Sequence, residues 1–426
     1  MSAIPPNLAD HRAPGLAPTH DKRADTPSVV PDAPGRVLTV LITVPTLQAG
    51  AADMGALDLV RILAAAGHRA IVASRGGRLA ATVEALGGVN VALDMASRNP
   101  VTVLRNAFAL ARLVREHRCD LVHAHGRAPA WCAYFATRLA GVPFLTTWYK
   151  GFREQNALKH LYNSVMARGD RVIAVSDQLA ELIHERYGTP FARIAVVPTS
   201  IDLSRYDPLA VSRDRIEAVR RTWGVEESER VVLVIGRMRP RKGHHVVVKA
   251  VARLKAMGMK DFVCVFAAED QRTRYAAEIW DQVLASDTSD FIRMTGPLTD
   301  VPAAYAAATV VVSAAVQPEG LQRALLEAQA MARPVIVSEV AAGPDVVLTP
   351  PAVADDRMTG LRFATGDHAA LAAALVRLFS MPESSREAIG ARGRAWVLRH
   401  FGAESTAEST LRLYAEVMDA AAPRPH

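Results

Sequence analysis

The most constraining stretch of the chain runs from Gln317 to Val337, QPEGLQRALLEAQAMARPVIV. An apolar, β-branched run precedes it, from Thr309 to Val316. A Pro-Glu-Gly turn follows at Pro318, Glu319 and Gly320, and Leu321 to Met331 has helical spacing, with Leu321, Leu325 and Ala328 on one face. Pro334 ends that helix, and Val335 to Val337 begins a second strand. Strand, turn, helix, strand is the building block of a parallel sheet, because parallel neighbours need a crossover. Such sheets bind ligands outside the carboxyl ends of their strands, where the next helix offers unpaired N–H groups to an anion. Glu319 lies in that loop and Glu327 eight residues further on. On a continuous helix about 12 Å would separate them, so the two carboxylates can meet different parts of one extended ligand.

The same alternation fills the rest of the chain. Order is expected from Arg36, where VLTVLITV has a buried-strand pattern. A small-residue loop follows from Gln48 to Gly55, then a helix from about Ala56 to Ala66 and a strand from His68 to Ser74. This is a Rossmann-like opening without GxGxxG. Val101 to His117 is expected to form an amphipathic helix whose basic face, with Arg105, Arg112 and Arg115, is either a plain solvated one or one that lies against anionic lipid. A strand from Asp120 to His123 leads into HAHGRAPAW. His123 and His125 are expected on opposite sides of it, one buried and one at the strand end facing the cleft. A polar segment from Thr199 to about Glu229 holds the domain boundary. Beyond it, the strand Val231 to Ile235 ends in Gly236-Arg237-Met238-Arg239-Pro240-Arg241-Lys242-Gly243. Cationic side chains after a glycine, between a strand and a helix N-terminus, make an anion site.

A chain of 426 residues exceeds one ordinary core, so two domains are expected. Met1 to Gly35 is rich in Pro, Ala, Asp and His without periodicity and is expected to be a disordered tail. No apolar run approaches membrane-spanning length, and the N-terminus lacks a signal-peptide pattern. Cys119, Cys132 and Cys264 are isolated, as reduced thiols of a cytoplasmic protein would be. A net charge of +7 suits an anionic ligand or membrane surface, and no basic block with interleaved aromatics points to nucleic acid. No DxD, HExxH or Walker motif supplies a metal site.

Taken together, AGHRAIVASRGG, HAHGRAPAW, YNSVMARGDRVIAVS, VVPTSID, GRMRPRKG and PEGLQRALLEAQAMARPVIVS resemble family 4 of the retaining, GT-B-fold glycosyltransferases. The likeness is to bacterial sugar transferases that build lipopolysaccharide core or similar surface glycans. It implies an α/β protein with two Rossmann-like parallel-sheet domains facing a central cleft. Residues 36–205 would form the acceptor domain and 206–395 the nucleotide-sugar donor domain. A C-terminal helix and tail, 396–426, would pack back towards the first. The resemblance puts Gly236, Arg237 and Lys242 at the donor diphosphate and Glu327 at its ribose. Glu319, with Gly320 and Leu321, would contact the transferred sugar. His125 would lie near the reacting centre, and Gly50 and Asp53 in a loop closing on the donor. His125, Glu319, Arg237 and Lys242 would thus carry catalysis by same-face attack, without metal or cofactor. The acceptor would be a glycan or lipid-linked, met at the inner membrane face. Leu321-Gln322 stand where the family usually has Phe-Gly, Tyr149-Lys150 where it commonly has His-Gly, and Thr199-Ser200 where it has Asn-Gly or Arg-Gly. Gln322 is expected to crowd a bound phosphate. The alternative is therefore a degenerate protein that binds a nucleotide sugar or a partner without turnover.

Overall fold

The computed structural model describes residues 36–48, 50–149, 151, 156–268, 272–317, 321–341 and 346–421. The expectations for the tail up to Gly35 and for Lys150, Glu319 and Gly320 lie outside these residues. The first domain is built on a seven-stranded sheet of β1 (Thr39–Thr43), β2 (Arg69–Ser74), β3 (Val89–Ala92), β4 (Leu121–Ala124), β5 (Phe144–Trp148), β6 (Arg171–Ala174) and β7 (Ile194–Val196). The second is built on a six-stranded sheet of β8 (Arg230–Ile235), β9 (Phe262–Ala267), β10 (Ile292–Thr295), β11 (Val310–Ser313), β12 (Val335–Ser338) and β13 (Gly360–Phe363). Every pairing in both is parallel.

The strand orders are β3-β2-β1-β4-β5-β6-β7 and β10-β9-β8-β11-β12-β13. In each, the order reverses beside the first strand, opening a crevice at the carboxyl ends of β1 and β4, and of β8 and β11. Helices cover both faces, which is why the strands are apolar runs and not alternating ones. All five residues of β1 are buried, as are all six of β9. Each sheet therefore has two cores. Leu41, Val122 and Trp148 belong to one side of the first sheet, and Val40, Ile42 and Leu121 to the other.

The chain crosses between the domains twice, at neighbouring places. Ile201 enters the second domain's core together with Val397 and Phe401, and the Ile201 N–H donates to the Phe401 carbonyl at 3.0 Å. The last helix, Ala403–Ala421, then returns to the first domain, where Leu413, Tyr414 and Val417 join the core. Arg171 and Glu416 form an ion pair that ties this helix to β6. Leu321 contacts core residues of both domains.

The first helix begins earlier than its sequence suggests, at Ala51, and runs to Ala65. Asp53 explains the difference. Its Oδ2 accepts from the backbone N–H of Gln48 and of Gly50 (both 3.0 Å) and from the Thr46 hydroxyl (3.1 Å). One carboxylate at the third helical position thus satisfies donors that would otherwise be orphaned, and Ala51 and Ala52 become its first turn. The helix of the Glu327 segment is shorter than expected, Arg323–Ala330.

Candidate active site

On the first-domain side of the cleft, two histidines end β4. They do not face opposite sides. Residues two apart on an extended chain share a face, and the two rings lie 4.5 Å apart, both buried. His123 bonds the Tyr414 hydroxyl through Nδ1 and the Thr147 hydroxyl through Nε2, each at 2.7 Å. It clips the last helix to β5. His125 bonds the Tyr149 hydroxyl through Nδ1, also at 2.7 Å. Its Nε2 is buried with no hydrogen-bond partner among the described residues. Burial holds Tyr149 a neutral phenol, with its ionisation pushed well up. If Tyr149 donates to Nδ1, Nε2 carries the ring proton and is an unused donor. Gly55 makes room for this pair: a Cβ there would overlap the Tyr149 hydroxyl. The space that this small residue leaves is taken by a tyrosine.

Asp53 is buried, and its Oδ2 is engaged with loop backbone. It shapes the loop around Gly50. His125, Gly50 and Arg127 line one pocket of about 400 Å³ at the carboxyl ends of β4 and β5. A smaller cavity of about 50 Å³ lies beneath His125, between Asp58, Tyr149, Thr199 and Ser200.

On the second-domain side, the loop after β8 carries Gly236, Arg237 and Lys242. Arg237 is exposed, and the Lys242 side chain folds back over Gly236, its Cε 3.5 Å from where a Cβ would stand. Gly243 has φ +72°, and a Cβ on it would overlap the Ala314 carbonyl. Only glycine allows both the left-handed backbone and the contact. That contact, together with the Val316 N–H donating to the Arg241 carbonyl (2.9 Å), holds the cationic loop against the end of β11. The helix His244–Ala256 starts there with no side-chain cap.

Glu327 is half-buried and held from two sides. The Tyr305 hydroxyl donates to its Oε2 at 2.9 Å, and Arg323 lies 3.7 Å from its Oε1. Arg323 also reaches electrostatically across the cleft. Burial pushes the Asp58 carboxyl up, and Arg323 opposes that shift ahead of Arg61. Gln322, expected to crowd a phosphate, is the N-cap of this helix, and its side chain makes no cap hydrogen bond. Its Oε1 accepts from Ser313 on β11 at 2.7 Å. Its Nε2 is buried without a partner among the described residues.

Sequence reasoning missed Tyr149 as the partner of His125, and Arg323 and Tyr305 as the frame of Glu327. The spacing of Arg323 and Glu327, four apart on a helix, was the one available signal. Tyr149 and Tyr305 meet their partners only through the fold.

A family model described as Glycosyltransferase Family 4 matches residues 53–205, and one described as Glycosyl transferases group 1 matches residues 229–381. The chain belongs to the glycosyltransferases of family 4. A D-inositol 3-phosphate glycosyltransferase of Salinispora arenicola is 27% identical over 326 residues, covering 72% of this chain and 70% of that one. The crystal structure of a glycosyltransferase from Rickettsia africae superimposes with a TM-score of 0.81 at 26% identity, over 90% of this chain and 99% of that one. Anabaena HepE, in complex with UDP and glucose, shares the fold with a TM-score of 0.72 at 18% identity, over 90% of this chain and 100% of that one. The cleft just described is thus the cleft of a glycosyltransferase with the GT-B fold.

Three buried imidazoles in this transferase resist protonation. Burial holds His123 well below the usual range, with His125 adding to it, and pushes His125 down to about 3. Burial first, then Lys242, pushes His244 down to about 4. The unfolded chain therefore takes up protons before the folded one as pH falls. The histidine contribution to stability is intact above the ordinary value of 6.5 and is lost as pH falls towards about 4. Each such residue is expected to cost about 1.4 kcal/mol per pH unit within that window. Denaturant unfolding at pH 7.5 and pH 5 checks this, with His125→Asn expected to flatten the slope. Equal wild-type stability at both values would contradict neutral burial.

Proposed function

We propose that the protein is a retaining transferase that moves a hexose from a nucleoside-diphosphate sugar to a glycan or lipid-linked acceptor. The setting is lipopolysaccharide or other surface-polysaccharide synthesis. The observation that carries the reading is the cationic loop Gly236–Lys242, fixed at the carboxyl end of β8 against the end of β11. As the bond between the sugar's C1 and the phosphate oxygen breaks, negative charge grows on the leaving diphosphate. Arg237 and Lys242 meet that charge without reorganising. Glu327, pre-oriented by Tyr305, suits the paired hydroxyls of a ribose. Glu319 is assigned to the sugar hydroxyls by its place in the motif. The acceptor hydroxyl attacks C1 from the face the diphosphate leaves and gives its proton to a phosphate oxygen. His125 offers a neutral Nε2–H to a sugar or acceptor oxygen. UDP held by a protein of the same fold supports a nucleotide donor. The degenerate reading rests on the departures at Tyr149, Lys150, Thr199, Ser200 and above all Gln322, whose Oε1 accepts from Ser313.

Lys242→Ala and Arg237→Ala are each expected to lower turnover by roughly 100-fold, about 3 kcal/mol, with melting temperature unchanged. EDTA is expected to have no effect, because fixed cations supply the charge that a metal would. Near-normal turnover in either variant, or loss with EDTA reversed by Mn²⁺, would overturn the diphosphate assignment.

The acceptor side is proposed to meet an anionic bilayer. The helix Pro100–Glu116 exposes Val101, Leu104 and Phe108 among Arg105, Arg112 and Arg115. Apolar side chains between exposed arginines suit the headgroup layer. Among the described residues no helix is long and apolar enough to cross a membrane. Phe108→Glu is expected to weaken co-sedimentation with phosphatidylglycerol vesicles at least several-fold. Vesicle binding that is absent in the wild type, or unchanged by Phe108→Glu, would remove this contact.

A further inference from the structure

Four consecutive residues at the end of β11 tie the second-domain side of the cleft together. Ser313, the last residue of the strand, donates its hydroxyl to Gln322 Oε1 at 2.7 Å. The carbonyl of Ala314 leaves no room for a Cβ on Gly243. The carbonyl of Ala315 accepts from the Ser338 hydroxyl at 2.6 Å, and the Val316 N–H donates to the Arg241 carbonyl at 2.9 Å. The Gln322 side chain and the cationic loop are therefore anchored on adjacent residues of one strand end.

Gln322 is itself an unfinished contact. The residue is 8% exposed, and with Oε1 tied to Ser313 its Nε2 amino group has no partner among the described residues. A primary amide brings two N–H donors, and buried donors are normally paired. Left unused, they would make glutamine a worse choice here than an apolar side chain of its size. The backbone adds donors of its own. Gln322 is the N-cap of the helix Arg323–Ala330 and makes no side-chain cap hydrogen bond, so the first N–H groups of that helix lack a side-chain acceptor. Buried amide, uncapped helix end and cationic loop all offer donors or positive charge, and what suits all three is an oxyanion.

We propose that Gln322 is a specificity-determining residue of the donor site, its Nε2 amino group, oriented by Ser313, donating to an oxygen of the phosphate next to the sugar. The inference deepens the transferase reading and rests on it for the identity of the donor. Because Gln322 departs from the family pattern, the contact belongs to this chain. A nucleoside diphosphate gains from it a hydrogen bond that the monophosphate cannot make.

The test is calorimetric titration of UDP and of UMP into the full-length protein, with GDP and GMP, and ADP and AMP, as alternative pairs. The quantity read is the preference for diphosphate over monophosphate. Gln322→Leu keeps the size of the side chain and removes the amide. It is expected to lower that preference by about 10-fold, as the loss of one hydrogen bond to a charged group does, and to leave monophosphate binding unchanged. Gln322→Glu keeps an acceptor for Ser313 but sets a negative charge in place of the amino group, and is expected to lower the preference further. Monophosphate binding in the same variants shows that they are folded. Ser313→Ala keeps the amide and removes its anchor. It is expected to lower the preference by a smaller factor, and it carries the test if Gln322→Leu does not fold. A preference unchanged in these variants overturns the proposal. So does a preference raised above wild type in Gln322→Gly, which would show the side chain crowding the phosphate. A wild type that binds no nucleotide of any pair would overturn the donor reading and this contact with it, whereas nucleotide binding without these effects overturns the contact alone.

Discussion

Everything in this molecule that bears on chemistry follows from one constraint on parallel sheets. Each crossover must leave at the carboxyl end of a strand and return on one face or the other. Where the direction of winding reverses, two neighbouring loops part and leave a crevice. The chain does this twice, between β1 and β4 and between β8 and β11. The first reversal produces the histidine side of the cleft, the second the cationic side. Neither crevice holds all the groups a glycosyl transfer needs, and their chemistry is complementary: neutral donors and arginines on one side, fixed cations and a framed carboxylate on the other.

Keeping the two sides in register falls to a small set of contacts. Ile201 and Phe401 lie where the chain crosses, and Leu321 touches both cores. The last helix returns to the first domain and is pinned by Tyr414 on His123. Because His123 also bonds Thr147 and packs beside His125, that anchoring helix and the candidate catalytic histidine share one buried cluster. The link from packing to chemistry is therefore short. A change in how the C-terminal helix seats reaches His125 through one intervening ring.

Much of this was legible in the sequence because parallel strands buried on both faces leave long apolar runs, and because loops that bind anions concentrate glycine, arginine and lysine. β8 and its Gly236–Lys242 loop, and the unit from β11 to β12, stood out for those reasons. What failed to show depends on contacts distant in the chain. Asp53 reads as a loop residue until its oxygen is seen taking the N–H groups of Gln48 and Gly50, which starts the helix five residues early. Tyr149 reads as a departure from the family pattern, yet it is the partner of His125 and the reason Gly55 is small. The relation of His123 to His125 was misjudged through strand periodicity itself, since a spacing of two keeps side chains together. Gln322 reads as a departure from the family pattern, and only the fold shows that its Oε1 has a partner in Ser313.

The account's central claim is that the cationic loop and the helix bearing Glu327 act together on one nucleotide. Hydrogen exchange of the full-length protein, with and without UDP, measures this directly. The account predicts that UDP slows exchange in 236–243 and in 323–330 together, with little change along the helix Pro100–Glu116. Protection confined to the first-domain pocket, or in only one of those two second-domain segments, would contradict it.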